Sequence, residues 1–260
     1  MKICVNTGSY RNAEILTALE VLAKFGITEL EFNLRPVMDE GISPDKILKN
    51  LETNNQKVVV AAGGWCDFYT SGNAQNINYN SIKRQVELAK IFGTDKIRIF
   101  LGLLPAKYKN ENTMELVTEN LRRIGESFPD IQFLIENHDS LSLDIKFMEK
   151  LFENLQGLNF ALNFDAVNFE RNSVDSNEAF LNLKKYIRHI HVKGLKEKKL
   201  WSYSESEYNF SNVFKMLLKA KYTGYISLEY EADKEITTSL LKDYKKLKND
   251  INEILTTEQM

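Results

Sequence analysis

Gln132-Phe133-Leu134-Ile135-Glu136-Asn137 is a short apolar run ending in an acid, and Asn159-Phe160-Ala161-Leu162-Asn163-Phe164-Asp165 repeats that pattern further on. Between them Ile145, Met148, Phe152 and Leu155 recur at helical spacing, from a start near Ser142 to Gly157 beyond the end. Strand, helix and strand in this order make a βαβ unit, because a parallel neighbour cannot be reached through a tight turn.

Outward from this unit the same alternation recurs at intervals of about thirty residues. The predicted strands cover 2–6, 29–33, 57–63, 96–102, 132–137, 159–165, 187–193 and 225–231. The first helix carries Ile15, Leu16, Leu19, Leu22 and Phe25, with Gly26 as a C′ residue. The second opens on Ser43-Pro44-Asp45, an N-cap, an N1 proline and a first-turn acid. The third is predicted over 81–92, and the last starts near Thr237. Eight units fill the chain, so the expected fold is α/β: a (β/α)8 TIM barrel, single domain, over 1–260. The rival, an open doubly wound sheet, usually shows a glycine-rich phosphate turn after its first strand, whereas Asn6-Thr7-Gly8-Ser9 has one glycine. The longest connections, 63–80 and 194–211, follow strands three and seven and are expected on the C-terminal face.

Composition narrows the partners. With 34 basic and 36 acidic side chains the formal charge is −2, without the basic excess that a phosphate backbone favours, so nucleic acid is not expected. No apolar run approaches the roughly 18 residues of a membrane span. The first residues enter a strand pattern without a signal-peptide core. Cys4 and Cys66 lie far apart and form no CxxC pair, which reads as two reduced thiols in a cytoplasmic protein.

Catalytic groups in a parallel barrel come from the C-terminal strand ends. Strands five to eight end in Glu136-Asn137-His138, Asp165, His189-Ile190-His191-Val192-Lys193 and Glu229-Tyr230-Glu231. Period-two alternation lets Glu136, Asp165, His191 and Glu229 all point inward. Three carboxylates sharing a desolvated pocket repel one another, and a divalent cation is the simple neutraliser. One imidazole with three carboxylates is a mostly hard donor set, suited to Mn²⁺, Mg²⁺ or Co²⁺. His189 reads as a barrel histidine satisfied by a neighbour.

These four strand ends, with Phe25-Gly26, Glu29-Leu30-Glu31, Asn163-Phe164-Asp165-Ala166-Val167-Asn168 and Tyr222-Thr223-Gly224-Tyr225-Ile226-Ser227-Leu228-Glu229, resemble the xylose-isomerase-like TIM barrel superfamily in its sugar phosphate isomerase/epimerase branch. The resemblance runs over nearly the whole chain. It implies that Glu136, Asp165, His191 and Glu229 hold one divalent metal ion, Mn²⁺ first, with Mg²⁺, Co²⁺ or Zn²⁺ as alternatives. It also implies that Glu136 and Glu229 are catalytic, moving a substrate proton through an enediolate. There are three departures. Asn168 stands where the epimerase branch often has a substrate-contacting His, Gly194 where many relatives have Asp, and Glu197 where ketose 3-epimerases have Arg.

The expected function is a metal-dependent isomerase or epimerase of a small sugar, sugar phosphate or related polyhydroxy carbonyl compound. The alternatives are a dehydratase (lyase) acting on a keto-polyol from the same site, and a non-catalytic sugar-binding barrel. Apurinic endonuclease activity, which this superfamily also contains, uses a trinuclear zinc cluster, and only His138, His189 and His191 are present to supply its imidazoles. Candidate substrate-binding residues are Asn6, Trp65, His138, Asn168 and Lys193; Asn33 is a further hydrogen-bonding candidate, and Trp201 reads as structural. The resemblance also implies a possible homo-oligomer.

Overall fold

Alternation along each strand sends one set of side chains toward the helices and the other into the barrel. The computed structural model describes residues 1–104, 110–232 and 235–257. Its strands are β1 (Lys2–Asn6), β2 (Glu29–Asn33), β3 (Lys57–Ala62), β4 (Lys96–Ile99), β5 (Gln132–Glu136), β6 (Phe160–Asp165), β7 (Ile187–Val192), a short pair β8 (Gly194–Lys196) and β9 (Lys199–Trp201), and β10 (Tyr225–Leu228). All but β8 and β9 are parallel and close into a barrel in the order β1-β10-β7-β6-β5-β4-β3-β2. The expected eight-stranded fold is therefore the observed one.

Around the barrel run α1 (Ile15–Lys24), α2 (Arg35–Met38), α3 (Pro44–Thr53), α4 (Gly72–Ile91), α5 (Thr113–Ser127), α6 (Ile145–Asn154), α7 (Ala166–Arg171), α8 (Ser176–Leu183), α9 (Ser211–Lys219) and α10 (Ile236–Thr257). Their apolar faces and the outward strand residues, such as Phe133, Ile135, Leu162 and Ile190, form the main core. Val60, Leu134 and Ala161 form a separate apolar plug inside the barrel. Above that plug, toward the C-terminal strand ends, the interior turns polar. Among the described residues no helix is long and apolar enough to cross a membrane.

Two local readings change. Helix α4 starts at Gly72, well before residue 81. The asparagine-rich stretch before 81 offers little apolar face, and tertiary contacts hold it. The Asn78 amide donates to the Asp67 carbonyl and the Thr70 hydroxyl, and Tyr79 stacks on Phe128 at 6.0 Å. Helix α6 starts after Ser142, which lies in a 3₁₀ turn (Ser140–Leu143); Asp144 caps the helix by accepting from Phe147 N.

The connection after β7 is also more ordered than an open loop. β8 and β9 pair antiparallel with Lys196 opposite Lys199, and Glu197 and Lys198 form the turn at φ 50° and 61°. That two-residue loop with both φ positive matches the right-handed twist of its strands. Gly194 is required by close approach, since a Cβ there would lie 2.1 Å from the Ser202 carbonyl oxygen. The departures at Gly194 and Glu197 thus belong to one hairpin.

Candidate active site

Register sets the level of each polar side chain. Asp165 pairs with His191, and His191 with Ser227, so Glu229 lies one inward position above. Glu229 N donates to the Val192 carbonyl at 2.9 Å, which carries the pairing past the end of β10. One ligand-type atom from each of Glu136, Asp165, His191 and Glu229 lies within 4.8 Å of the others. Nδ1 of His191 is 3.4 Å from Glu136 Oε1 and 3.7 Å from Glu229 Oε2.

Three charged residues that the sequence reading gave no role join this group. Glu31 of β2 is fully buried, and its Oε2 lies 2.9 Å from His189 Nε2 and 2.8 Å from His191 Nε2. Arg98 of β4 places Nε 3.3 Å from Glu136 Oε2 and 3.6 Å from Glu31 Oε1, with its guanidinium over the Phe100 ring. Glu231 accepts from Lys193 Nζ at 2.8 Å. Period-two alternation could have found all three, because Arg98 alternates with Ile97 and Ile99, Glu231 follows Glu229 by two, and Glu31 follows Glu29 by two.

The candidate substrate residues divide into two sets. Trp65 and His138 line a cavity of about 490 Å³ that reaches Glu136, Glu229 and Arg98. Trp65 stacks on Phe100 at 4.3 Å, and His138 meets both rings edge-on. His138 Nδ1 also contacts the Asp139 carboxylate. Asn6, Asn168 and Lys193 are instead buried and bonded to the acids. The Asn6 amide donates to Glu31 and Glu229, and the Asn168 amide donates to Glu136 Oε1 and the Asn137 carbonyl. Lys193 Nζ lies 3.1 Å from Asp165, 3.0 Å from Glu229 and 2.8 Å from Glu231. The Asn33 side chain accepts from Arg35 N, and the Trp201 indole N–H donates to Glu205.

Burial and charge act against each other here. Burial pushes Glu136 up, but His191 and Arg98 outweigh it and hold the carboxyl well below its usual range. Asp165 rises through burial, with Lys193 opposing and Glu136 adding. Glu229 is pushed up to about 7 by burial, with Lys193 opposing and Glu231 adding. Burial would raise Glu231 too, yet Lys193 draws it down to about 2. Burial disfavours a charged His191, but Glu31 and Glu136 reverse that and raise it well above the ordinary imidazole value.

The donor set fits a divalent cation. Among the described residues, the five carboxylates Glu31, Glu136, Asp165, Glu229 and Glu231 face three permanent cations, Lys193, Arg98 and, at 3.8 Å from Glu231, Arg11. Among the described residues His191 Nδ1 has no hydrogen-bond partner, although it is buried and faces two carboxylates. An unpartnered imidazole nitrogen aimed at carboxylate oxygens, with its other nitrogen held by an outer carboxylate, is the usual arrangement of a metal-ligating histidine.

Comparison with known proteins follows the same lines. The xylose isomerase-like TIM barrel family model matches residues 19–250. No curated protein matches the chain in sequence. Among solved structures, a D-tagatose 3-epimerase-like protein superposes with a TM-score of 0.83 at 15% identity, covering 99% of each chain. A sugar phosphate isomerase/epimerase from Parabacteroides distasonis gives 0.75 at 18% identity, covering 97% of this chain and 94% of the other. A probable 3-DHS dehydratase of petrobactin synthesis from Bacillus anthracis gives 0.80 at 18% identity, covering 95% and 99%. At these identities the structural likeness is one of fold. With the family model spanning most of its length, the chain belongs to the xylose isomerase-like TIM barrel family.

Proposed function

We propose that this chain is a divalent-metal-dependent isomerase or epimerase of a small sugar, sugar phosphate or related polyhydroxy carbonyl compound. The observation that carries the reading is the pair Glu136 and Glu229, 3.4 and 3.7 Å from His191 Nδ1 and both lining the cavity. Glu136, Asp165, His191 and Glu229 would hold the ion, and their mostly oxygen donors favour Mn²⁺. When bound, the ion supplies a Lewis acid for negative charge developing on a substrate carbonyl oxygen.

The protein's own groups supply the rest. Removal of a proton beside a carbonyl needs a positioned base, and its return on the other face needs an acid. Glu136 and Glu229 take these roles. Asn168 and Arg98 fix the two oxygens of Glu136, and Asn6 and Lys193 fix those of Glu229. Both carboxylates are thereby held against rotation while facing the cavity. Trp65, half exposed at the mouth, offers an aromatic face to the C–H side of a sugar ring, and His138 offers a ring nitrogen to a hydroxyl.

The test is solvent proton exchange. The Mn²⁺-loaded protein is incubated with a panel of ketoses and their phosphates in D₂O, and loss of a C–H signal is followed by NMR. Metal-dependent exchange that disappears in Glu229→Gln is the expected result. Full exchange in that variant sinks the reading, and an ultraviolet-absorbing conjugated product would point to elimination instead.

A further inference from the structure

The geometry points to Glu31 as the residue that presets His191 for the metal: one carboxylate, reached from two histidines, fixes which imidazole nitrogen remains free. The inference rests on the metal reading above.

Glu31 is fully buried on β2, on the far side of the barrel's strand order from the four proposed ligands. Its Oε2 faces Nε2 of both His189 and His191, at 2.9 and 2.8 Å. A carboxylate can only accept, so each imidazole presents an N–H there. Nε2 of His191 is thus kept protonated, so Nδ1, which faces Glu136 and Glu229, is the nitrogen that gives up its proton to a metal. The other oxygen, Oε1, lies 3.3 Å from the Asn6 amide and 3.6 Å from Arg98 Nε. Asn6 continues to Glu229 and Arg98 to Glu136. Through these hydrogen bonds and ion pairs Glu31 reaches three of the four proposed ligands while itself fully buried.

Every polar group around Glu31 is a donor. This makes Glu31→Gln informative, since the amide must turn its N–H₂ either toward the two histidines or toward Asn6 and Arg98. Either orientation sets donor against donor, although the side chain keeps its size.

Glu31, His189 and His191 also lie close enough to hold a cation of their own. Two sharp Nε2 contacts on one oxygen, each at ordinary hydrogen-bond length, favour the outer-carboxylate role. Stoichiometry decides between the two.

The experiment uses the full ¹⁵N-labelled chain. Mn²⁺ affinity and stoichiometry are measured calorimetrically, and the histidine tautomers are read by long-range ¹H–¹⁵N correlation in the Zn²⁺-loaded protein. The wild type is expected to bind one ion, with the His191 proton on Nε2. Glu31→Gln is expected to bind Mn²⁺ about 10–100-fold more weakly, the usual effect of losing an outer partner, with the His191 pattern altered. His189→Asn keeps the Glu31–His191 bond and should lose less than Glu31→Gln does. If Glu31→Gln does not fold, Glu31→Asp retracts the carboxylate and reads the same bond. Wild-type affinity and an unchanged tautomer in the folded variant overturn the inference alone. A second ion in the wild type, lost in both Glu31→Gln and His189→Asn, replaces it with a metal site. No binding by the wild type removes the metal reading and this inference with it.

Discussion

Nδ1 of His191 faces Oε1 of Glu136 at 3.4 Å, and among the described residues no hydrogen bond is made by that nitrogen. In the proposed site both atoms are ligands of one ion. About one Mn²⁺ per chain should bind, and Asp165→Asn should weaken it by at least tenfold, as elemental mass spectrometry after dialysis and calorimetry would measure. A metal concentration a hundredfold above the dissociation constant should stabilise the fold by about 2.7 kcal/mol, by mass action. An unchanged melting temperature across a saturating titration would contradict this.

The same site should bind metal more tightly as pH rises. Glu229 is pushed up to about 7, chiefly by burial, and His191 is raised because Glu31 and Glu136 outweigh its burial. Both groups hold protons in the metal-free protein near neutrality, and both must lose them to act as ligands. Affinity is therefore lower at pH 6 than at pH 8, with protons released on binding. Calorimetry in buffers of different ionisation enthalpy measures that release; proton uptake would reverse the sign of the argument.

Lys193 is fully buried among Asp165, Glu229 and Glu231. Lys193→Met leaves these acids without their nearest cation, and breaking a buried pair in this way costs about 3–5 kcal/mol. Urea denaturation of the metal-free variant should show that loss, and saturating Mn²⁺ should recover part of it. Equal stability with and without the lysine would mean that the acids are neutral in the native state.

Gly194→Ala tests the hairpin. The added methyl would lie 2.1 Å from the Ser202 carbonyl oxygen, so the β8–β9 turn has to shift. Overpacking of this kind costs about 1–3 kcal/mol, measurable as a lower urea midpoint at constant slope.

Neither thiol should react in the native state. Burial raises Cys4 well above its ordinary value and pushes Cys66 up to about 11, and the thiolate is the reactive form. A disulfide-exchange reagent at pH 8 should label neither cysteine in the folded protein and both in denaturant.

Much of the fold was legible because it is written in local periodicity. All eight barrel strands begin within a residue of their predicted starts, since apolar runs flanked by helical period define them. Gly26, at φ 74°, ends α1 as its sequence suggested. The start of α4 was not legible, because Asn78 and Tyr79 are held by partners in other segments. Within the site, Glu136, Asp165, His191 and Glu229 stood out as strand-end residues of ligand type. Asn168 and Lys193 were equally visible, but whether they face the cavity or its acids depends on packing.

The sequence by itself determined the alternation of strands and helices, the polar strand ends and the inward parity of their side chains, because each follows from a repeat of two or of 3.6 residues. Barrel closure decided the rest. It brings Glu31 against His189 and His191 across 158 and 160 residues of chain, and sets Arg98 between Glu31 and Glu136. No local period encodes such distances. They follow from how eight strands tilt and stagger when the last pairs with the first.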